Sequence, residues 1–419
     1  KGFSGFGFPK SHAAAFGLLA YQSTWLRVHY GPEFLCALLN EQPMGFYPPD
    51  ALVHEAQRRG LEVVAPDVNA SDVECTLDGG CAPDDGCAPD GGCTPDDGCA
   101  PDDGCARAEE RRVLVGLGYI RGVRRAEIEA LVVERRRSGP FTSLADLASR
   151  AGAGAPALDL LAWSGACDSL AASSAQPPRR AAPAAAGRSD GKLAPAAPIS
   201  PRRLALWQLG VATAAHGVRG GGTQLALPLE LPLAPALPAL SGWESLIADY
   251  STLGMTVTSH PMALLRSHLP HGCSDSRDLA QLPHGGRVRI GGLVVARQRP
   301  STASGVVFVL LEDEFGVINL IVPPPIYERH RLTVRAEPLL LVDGRLERYA
   351  KGGGAINVLV SRVDQVAAPG GLIAQIQDFS IADERILAEQ RESPAGHGDL
   401  DDFRAVAPPV MSFAAGRRR

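Results

Sequence analysis

The 419-residue sequence predicts a multidomain α plus all-β protein: a helical region followed by a five-stranded barrel of OB-fold order. Three observations lead there. The chain is longer than one hydrophobic core supports, so two to four domains are expected. Apolar residues recur at helical spacing as far as about residue 270, then alternate with a period of two from residue 287. Between these runs lie stretches dominated by Gly, Pro and Ala, in a chain with 46 Gly and 34 Pro, and they read as linkers and insertions. No uncharged apolar run is long enough to span a bilayer, and no signal-peptide pattern is present, so a cytoplasmic location is expected.

The first element is "GFGFPKSHAAAFGLLAYQSTWLRVHYGPEFLCALLN", residues 5–40. Ser11 can cap a helix whose apolar positions Phe16, Leu19, Trp25, Leu26 and Val28 follow helical spacing. Gly31-Pro32 breaks it and a second helix follows. Lys10, His12, Tyr21, Gln22 and Arg27 are polar groups set in that apolar frame. By composition alone, this is a helical hairpin with a solvated basic edge. The chain begins at Lys1 within this Gly- and aromatic-rich motif, so the expectation is a fragment whose N-terminal part lies elsewhere.

Residues 75–106 hold a cysteine every six residues, from Cys75 to Cys105, and eight aspartates. Without those aspartates the formal charge of −5 becomes +3, so the rest of the chain is mildly basic with bunched arginines. Zinc sites pair cysteines two to four residues apart, and calcium loops need a bidentate Glu. Neither pattern is present. The repeat reads as a low-complexity insertion, with adventitious metal binding as the alternative.

Residues 107–172 carry "RRVLVGLGYIRGVRRAEIEALVVERRRSGPFTSLADLASRAG" and "ALDLLAWSGACDSL", read as helix, tight turn, helix and a closing helical unit. The turn "IRGVRRAEI" resembles a helix-hairpin-helix element. In such an element Gly122 permits close backbone approach, and the next helix's N-terminal amides face a DNA phosphate. Arg121, Arg124 and Arg125 are the accompanying cations, with Arg124 standing where the usual hairpin has a second glycine. Residues 107–137 contain nine Arg against five Glu. An Arg-rich helix salt-bridged on its own surface is the alternative. Leu160, Leu161 and Trp163 read as core, and Cys36, Cys167 and Cys273 as buried thiols.

Residues 173–199 form a Pro/Ala linker too poor in large apolar groups to fold. A helical connector spans 200–284. Within it, "QLALPL" faintly resembles a sliding-clamp-binding peptide, and His260 of "HPM" reads as a helix-start or structural histidine. From 285 to 366 the order is strand, strand, strand, helix, strand, strand, which is that of an OB-fold. Arg297, Arg299, Phe308, Arg345, Arg348, Tyr349 and Lys351 are candidates for a single-strand face of cations and a stacking ring. Phe308 could equally fill the barrel. The acids of "VLLEDEFG" read as solvated turn residues. The tail, 367–419, holds Asp399, Asp401 and Asp402 in "GDLDDF" without flanking strands, so no catalytic or metal residue is assigned within the chain.

The ordered strings "GFGFPKSHAAAFGLLAYQSTWLRVHY", "PEFLCALLN" and "YPPDALVHEAQRRGLEVVAPDVNASD" resemble the fingers of the bacterial C-family DNA polymerases, and "HPM" matches the error-prone branch. The resemblance implies that residues 1–74 are partial fingers that close on the incoming dNTP. Lys10 and His12, and Arg27 beside them, would then be candidates for the triphosphate or template side. Primer-template DNA and single-stranded template DNA would be partners, with a sliding clamp as a further one. Nucleotidyl transfer in damage-induced translesion synthesis would use Mg²⁺ held by palm aspartates that lie before the fingers, outside this chain. The fragment alone would then be inactive. A non-catalytic DNA-binding module and a decayed polymerase fragment are the alternatives.

Overall fold

The computed structural model describes residues 10–44, 47–78, 111–175, 200–214, 235, 237–349, 355–366, 403–407 and 411–412. The repeat beyond Asp78, most of the Pro/Ala linker, "QLALPL", Lys351 and the aspartates of "GDLDDF" lie outside the described residues.

Three helices open the chain: α1 (Lys10–His29), α2 (Gly31–Asn40) and α3 (Pro49–Arg58). Lys10 already belongs to α1, so Ser11 sits in its first turn and not at a cap. The apolar residues of α1 are not buried: Phe16, Leu19, Trp25, Leu26 and Val28 all remain exposed. Helix α2 instead buries Leu35 and Leu39, and α3 buries Val53 and Ala56, against a small sheet.

That sheet consists of β1 (Val63–Val64), β2 (Thr76–Asp78) and β3 (Arg112–Leu114), in the order β1-β3-β2. Strand β3 runs parallel to β1 and antiparallel to β2. Cys75 and Thr76–Asp78 are therefore part of the folded unit, not of the insertion that the sequence pattern began there. The Cys75 amide donates to Asn40 Oδ1 at 2.8 Å, and its thiol sulfur accepts from Gly116 N at 3.4 Å. Burial pushes this thiol up to about 12, so it is inert at neutral pH.

Helices α4 (Arg125–Ser138), α5 (Leu144–Arg150), α6 (Ala155–Trp163), α7 (Asp168–Ala175) and α8 (Pro201–Ala214) complete the first core. Ile128, Leu131, Phe141, Leu144, Leu147, Leu158, Leu161 and Leu209 fill it. Each fully buried side chain of this kind stabilises by about 1.5–3 kcal/mol. Trp163 is only half-buried, whereas Cys167 is fully enclosed and its thiol is raised by burial.

Helix α9 (Gly242–Thr252) starts at a capping box, in which Ser241 Oγ accepts from Glu244 N and Glu244 accepts from Ser241 N. The short α10 (Pro261–Leu265) is capped by His260, whose Nδ1 accepts from Met262 N at 3.1 Å. Trp243, Leu246, Tyr250, Met262 and Leu265 form a second core with Leu293 and Leu339 of the barrel, and Phe403 from the C-terminal region enters it fully buried. Part of the tail is thus built into the joint between the helical and β parts.

The barrel follows α11 (Ser276–Gln281). Its strands are β4 (Arg287–Gln298), β5 (Val307–Glu312), β6 (Val317–Val322), β7 (Leu339–Tyr349) and β8 (Ala355–Gln365), with α12 (Pro324–Arg329) and α13 (Arg331–Ala336) between β6 and β7. The order is β5-β6-β8-β7-β4, and β4 pairs again with β5 to close the circle. Closure depends on an irregularity between Val294 and Ala296, which lets the first half of β4 pair with β7 and the second half with β5. A two-residue strand, β9 (Met411–Ser412), runs parallel along the end of β4. Alternation is strict on β6: Ile318, Leu320 and Val322 fill the barrel, while Val317 and Asn319 are exposed.

Candidate nucleic-acid interface

The hairpin begins with a single 3₁₀ turn at Leu117–Tyr119 and turns at Gly122 into α4. Gly122 has φ +84°, a left-handed backbone that favours glycine, and a Cβ there would press on Leu160 Cδ1 at 2.9 Å. Arg121 is claimed by α9: its amide donates to Thr252 O at 2.7 Å, and its guanidinium lies over Gly254 and reaches Tyr250 O. A cation placed on the carbonyl end of a helix is favourable there.

Arg124 is the N-cap of α4 and is 81% exposed at its side chain. Its amide and guanidinium both bond to Glu127, at 3.2 and 2.8 Å. Those bonds from Arg124 hold the Glu127 carboxyl down at about 2. Arg125 is shared between Glu74 and Glu129. Arg135 and Arg136 both pair with Asp72, and Arg137 with Glu134. Most of the local positive excess is therefore answered by acids, as the salt-bridged alternative requires.

A second hairpin joins α5 to α6 through Ala151–Gly154, with Gly152 at φ +64°. The signal in "AGAGAP" was a Gly-x-Gly followed by Pro in the first helical turn. Glu127 Oε1 lies 3.5 Å from Gly154 N, so one carboxylate sits between the starts of both hairpin helices. It occupies the kind of position a phosphate would take.

On the barrel, Phe308 is 37% exposed and points outwards, opposite Ile321 on β6. With Leu310, Val317 and Asn319 it forms one outer face. The Arg299 guanidinium lies 4.8 Å over the Tyr327 ring and remains exposed. Arg297 is different. Its guanidinium donates to Glu337 O, and burial lowers it to about 10. Arg348 is also used internally, donating to the carbonyls of Leu279 and Leu282 at 2.9 Å, and to that of Ala280, at the end of α11. Arg345 faces another side of the barrel, directly opposite Arg287 on β4. Tyr349 ends β7, and Lys10, His12 and Arg27 lie along the exposed α1, where His12 packs on Phe16. The candidates therefore fall into separate groups on α1, at the hairpins and on two barrel faces.

The acids of "VLLEDEFG" are not solvated. Glu312 and Asp313 are fully buried, and Glu314 binds Arg266 through two bonds of 2.8 and 2.6 Å. Asp313 accepts from Ser276, Phe315 and Gly316 and so closes the β5–β6 turn. Glu312 crosses to α3, where Arg58 Nη1 lies at 2.6 Å and His54 Nδ1 at 3.2 Å. His54 Nε2 faces Asp50 at 3.5 Å, and Asp50 accepts from Tyr250 Oη and Thr256 N. This buried network locks the barrel to the helical unit.

Burial raises Asp50 to about 6. Burial opposes charge on His54, yet Asp50 and Glu312 outweigh it and the ring is raised. His260, also buried, is lowered and stays neutral. His54, His260 and Glu312 place donor atoms within 4.8 Å of one another, a donor set zinc can use. The tautomer argues against it: His260 Nδ1 accepts from Met262 N, so the neutral ring carries its proton on Nε2, the atom facing Glu312. Arg58 already occupies Glu312, and the cluster is an ion-pair network.

Comparisons agree with these elements. Residues 60–177 match the helix-hairpin-helix motif family, and residues 288–366 the family of OB-fold nucleic acid binding domains. The chain is 40% identical over 380 residues to the error-prone DNA polymerase of Anaeromyxobacter dehalogenans strain 2CP-1, covering 90% of this chain and 28% of that protein. It is 36% identical over 381 residues to that of Pseudomonas fluorescens strain Pf0-1, covering 90% and 31%. The Pseudomonas aeruginosa PAO1 protein of the same name is 37% identical over 382 residues, again covering 90% and 31%. The chain thus spans about three-tenths of the length of these relatives.

Proposed function

We propose that this chain, homologous over nine-tenths of its length to the error-prone DNA polymerases, forms the DNA-holding part of such an enzyme. The observation that carries the reading is this extended similarity. A helix-hairpin-helix unit and a nucleic-acid-binding barrel within the same chain support it. The two hairpins at Gly122 and Gly152 hold primer-template duplex by its phosphates, without regard to sequence. The outer face around Phe308, with Arg299 nearby, takes single-stranded template by stacking and charge.

Helix α1, with Lys10, His12 and Arg27 exposed along it, belongs to the fingers and meets the triphosphate or template side. Lys contributes a point charge and His a donor to phosphate oxygen. The parent enzyme transfers nucleotides from dNTPs to a primer 3′ end across lesions. Mg²⁺ is then held by carboxylates in the larger part of the relatives that this chain does not span.

The test is fluorescence anisotropy of the full chain with primed, duplex and single-stranded DNA over a salt series. Binding of primed DNA with a log–log salt slope of roughly −3 to −6 is expected, reflecting several phosphate contacts. Absence of binding at low salt overturns the reading.

A further inference from the structure

Arg287 and Arg345 are direct cross-strand partners in the β4–β7 ladder, and both side chains are exposed. Like charges directly opposite one another destabilise a ladder. Among the described residues no acid pairs with either. Arg289, two residues along, is held by both oxygens of Asp343 at 2.6 and 3.1 Å, so that carboxylate does not offset the pair. The three arginines, His271, Asp343 and Ser361 line an open groove of about 560 Å³. Its lining has a net positive charge and includes no Phe, Tyr or Trp ring.

Among the described residues nothing compensates this breach of a local rule, and such breaches are expected at functional surfaces. We propose that this groove binds the phosphodiester backbone of a single DNA strand, with Arg287 and Arg345 on successive phosphates. The proposal rests on the DNA-binding reading above, but it concerns a different face from Phe308 and Ile321. Without a Phe, Tyr or Trp ring to stack a base, the groove holds the backbone by charge and is indifferent to sequence. A strand leaving the Phe308 face would be held again here by charge.

The experiment is fluorescence anisotropy of the full chain with a labelled oligothymidine and with a hairpin duplex over a salt series. The chain is compared with the double variants Arg287→Ser/Arg345→Ser and Arg287→Lys/Arg345→Lys. Each single-strand phosphate contact contributes about 0.7 to the log–log salt slope, so the serine variant should lose about 1.4. The lysine variant should retain the slope. Phe308→Ala should weaken binding with the slope unchanged. Because the opposed charges strain the ladder, the serine variant should melt no lower than the unaltered chain, which shows that lost binding is not lost folding. An unchanged slope in the serine variant, with the unaltered chain binding the strand, overturns the groove alone. A slope loss confined to the duplex overturns the single-strand assignment. No DNA binding by the unaltered chain overturns both the groove and the reading on which it rests.

Discussion

Removing the Glu312 carboxylate should loosen the barrel from the helical unit. Glu312 is 1% exposed and lies 2.6 Å from Arg58 and 3.2 Å from His54, both on α3. Truncating one member of a buried pair costs about 3–5 kcal/mol, because the remaining charge stays buried without its partner. Arg58 keeps Glu55 at 3.1 Å and is itself 13% exposed, so it can relax partly towards solvent. The expected loss for Glu312→Ala is therefore at the lower end, about 3 kcal/mol. Glu312→Gln keeps the shape and one hydrogen bond, and should lose about 2 kcal/mol. The assay is urea unfolding of the full chain, with hydrogen exchange across residues 307–312 and 50–58 as a local readout. Protection should fall in both segments together, although more than two hundred residues separate them in the chain. A loss below about 0.5 kcal/mol for the alanine variant, with unchanged exchange in α3, would refute the idea that this network joins the two parts.

Three further outcomes are expected. Glu127→Gln removes the negative charge held between the two hairpin helix starts, so duplex DNA should bind several-fold more tightly at low salt; equal or weaker binding in anisotropy would sink the idea that Glu127 occupies a phosphate position. Arg348→Ala strips three carbonyls at the end of α11 of their donor and should cost about 2 kcal/mol in urea unfolding, while binding per folded molecule stays the same. Asp50, raised to about 6 by burial, binds its proton more tightly in the folded state, so its contribution to stability is complete below about pH 3.8 and is lost as pH rises through about 6. Raised His54 acts in the same direction at higher pH, and lowered His260 opposes it below its ordinary range. Asp50→Asn should abolish the fall between pH 4 and 6 in stability-versus-pH curves, and persistence of that fall would place it on another group.

The change of hydrophobic period near residue 287 is local information, and it sufficed to predict a helical part followed by a five-stranded barrel. The same holds for Gly122, whose φ of +84° is a demand of the backbone turn itself. The second hairpin is likewise written in its own residues, Gly152, Gly154 and Pro156. What the chain could not show locally was the fate of its charges. Arg135 and Arg136 look like free cations until Asp72 arrives from more than sixty positions away, and Arg125 gains Glu74 across 51. Glu312 looks like a turn acid until folding carries Arg58 to it across 254 positions. Arg345 and Arg287 reveal their opposition only once β4 and β7 pair. Periodicity and backbone preference act over a few residues and can be read in order, whereas electrostatics acts through space. Which cations remain free to meet DNA is therefore decided by tertiary pairing on top of the local i,i+3 and i,i+4 pairs that hold Arg124, Arg125 and Arg137.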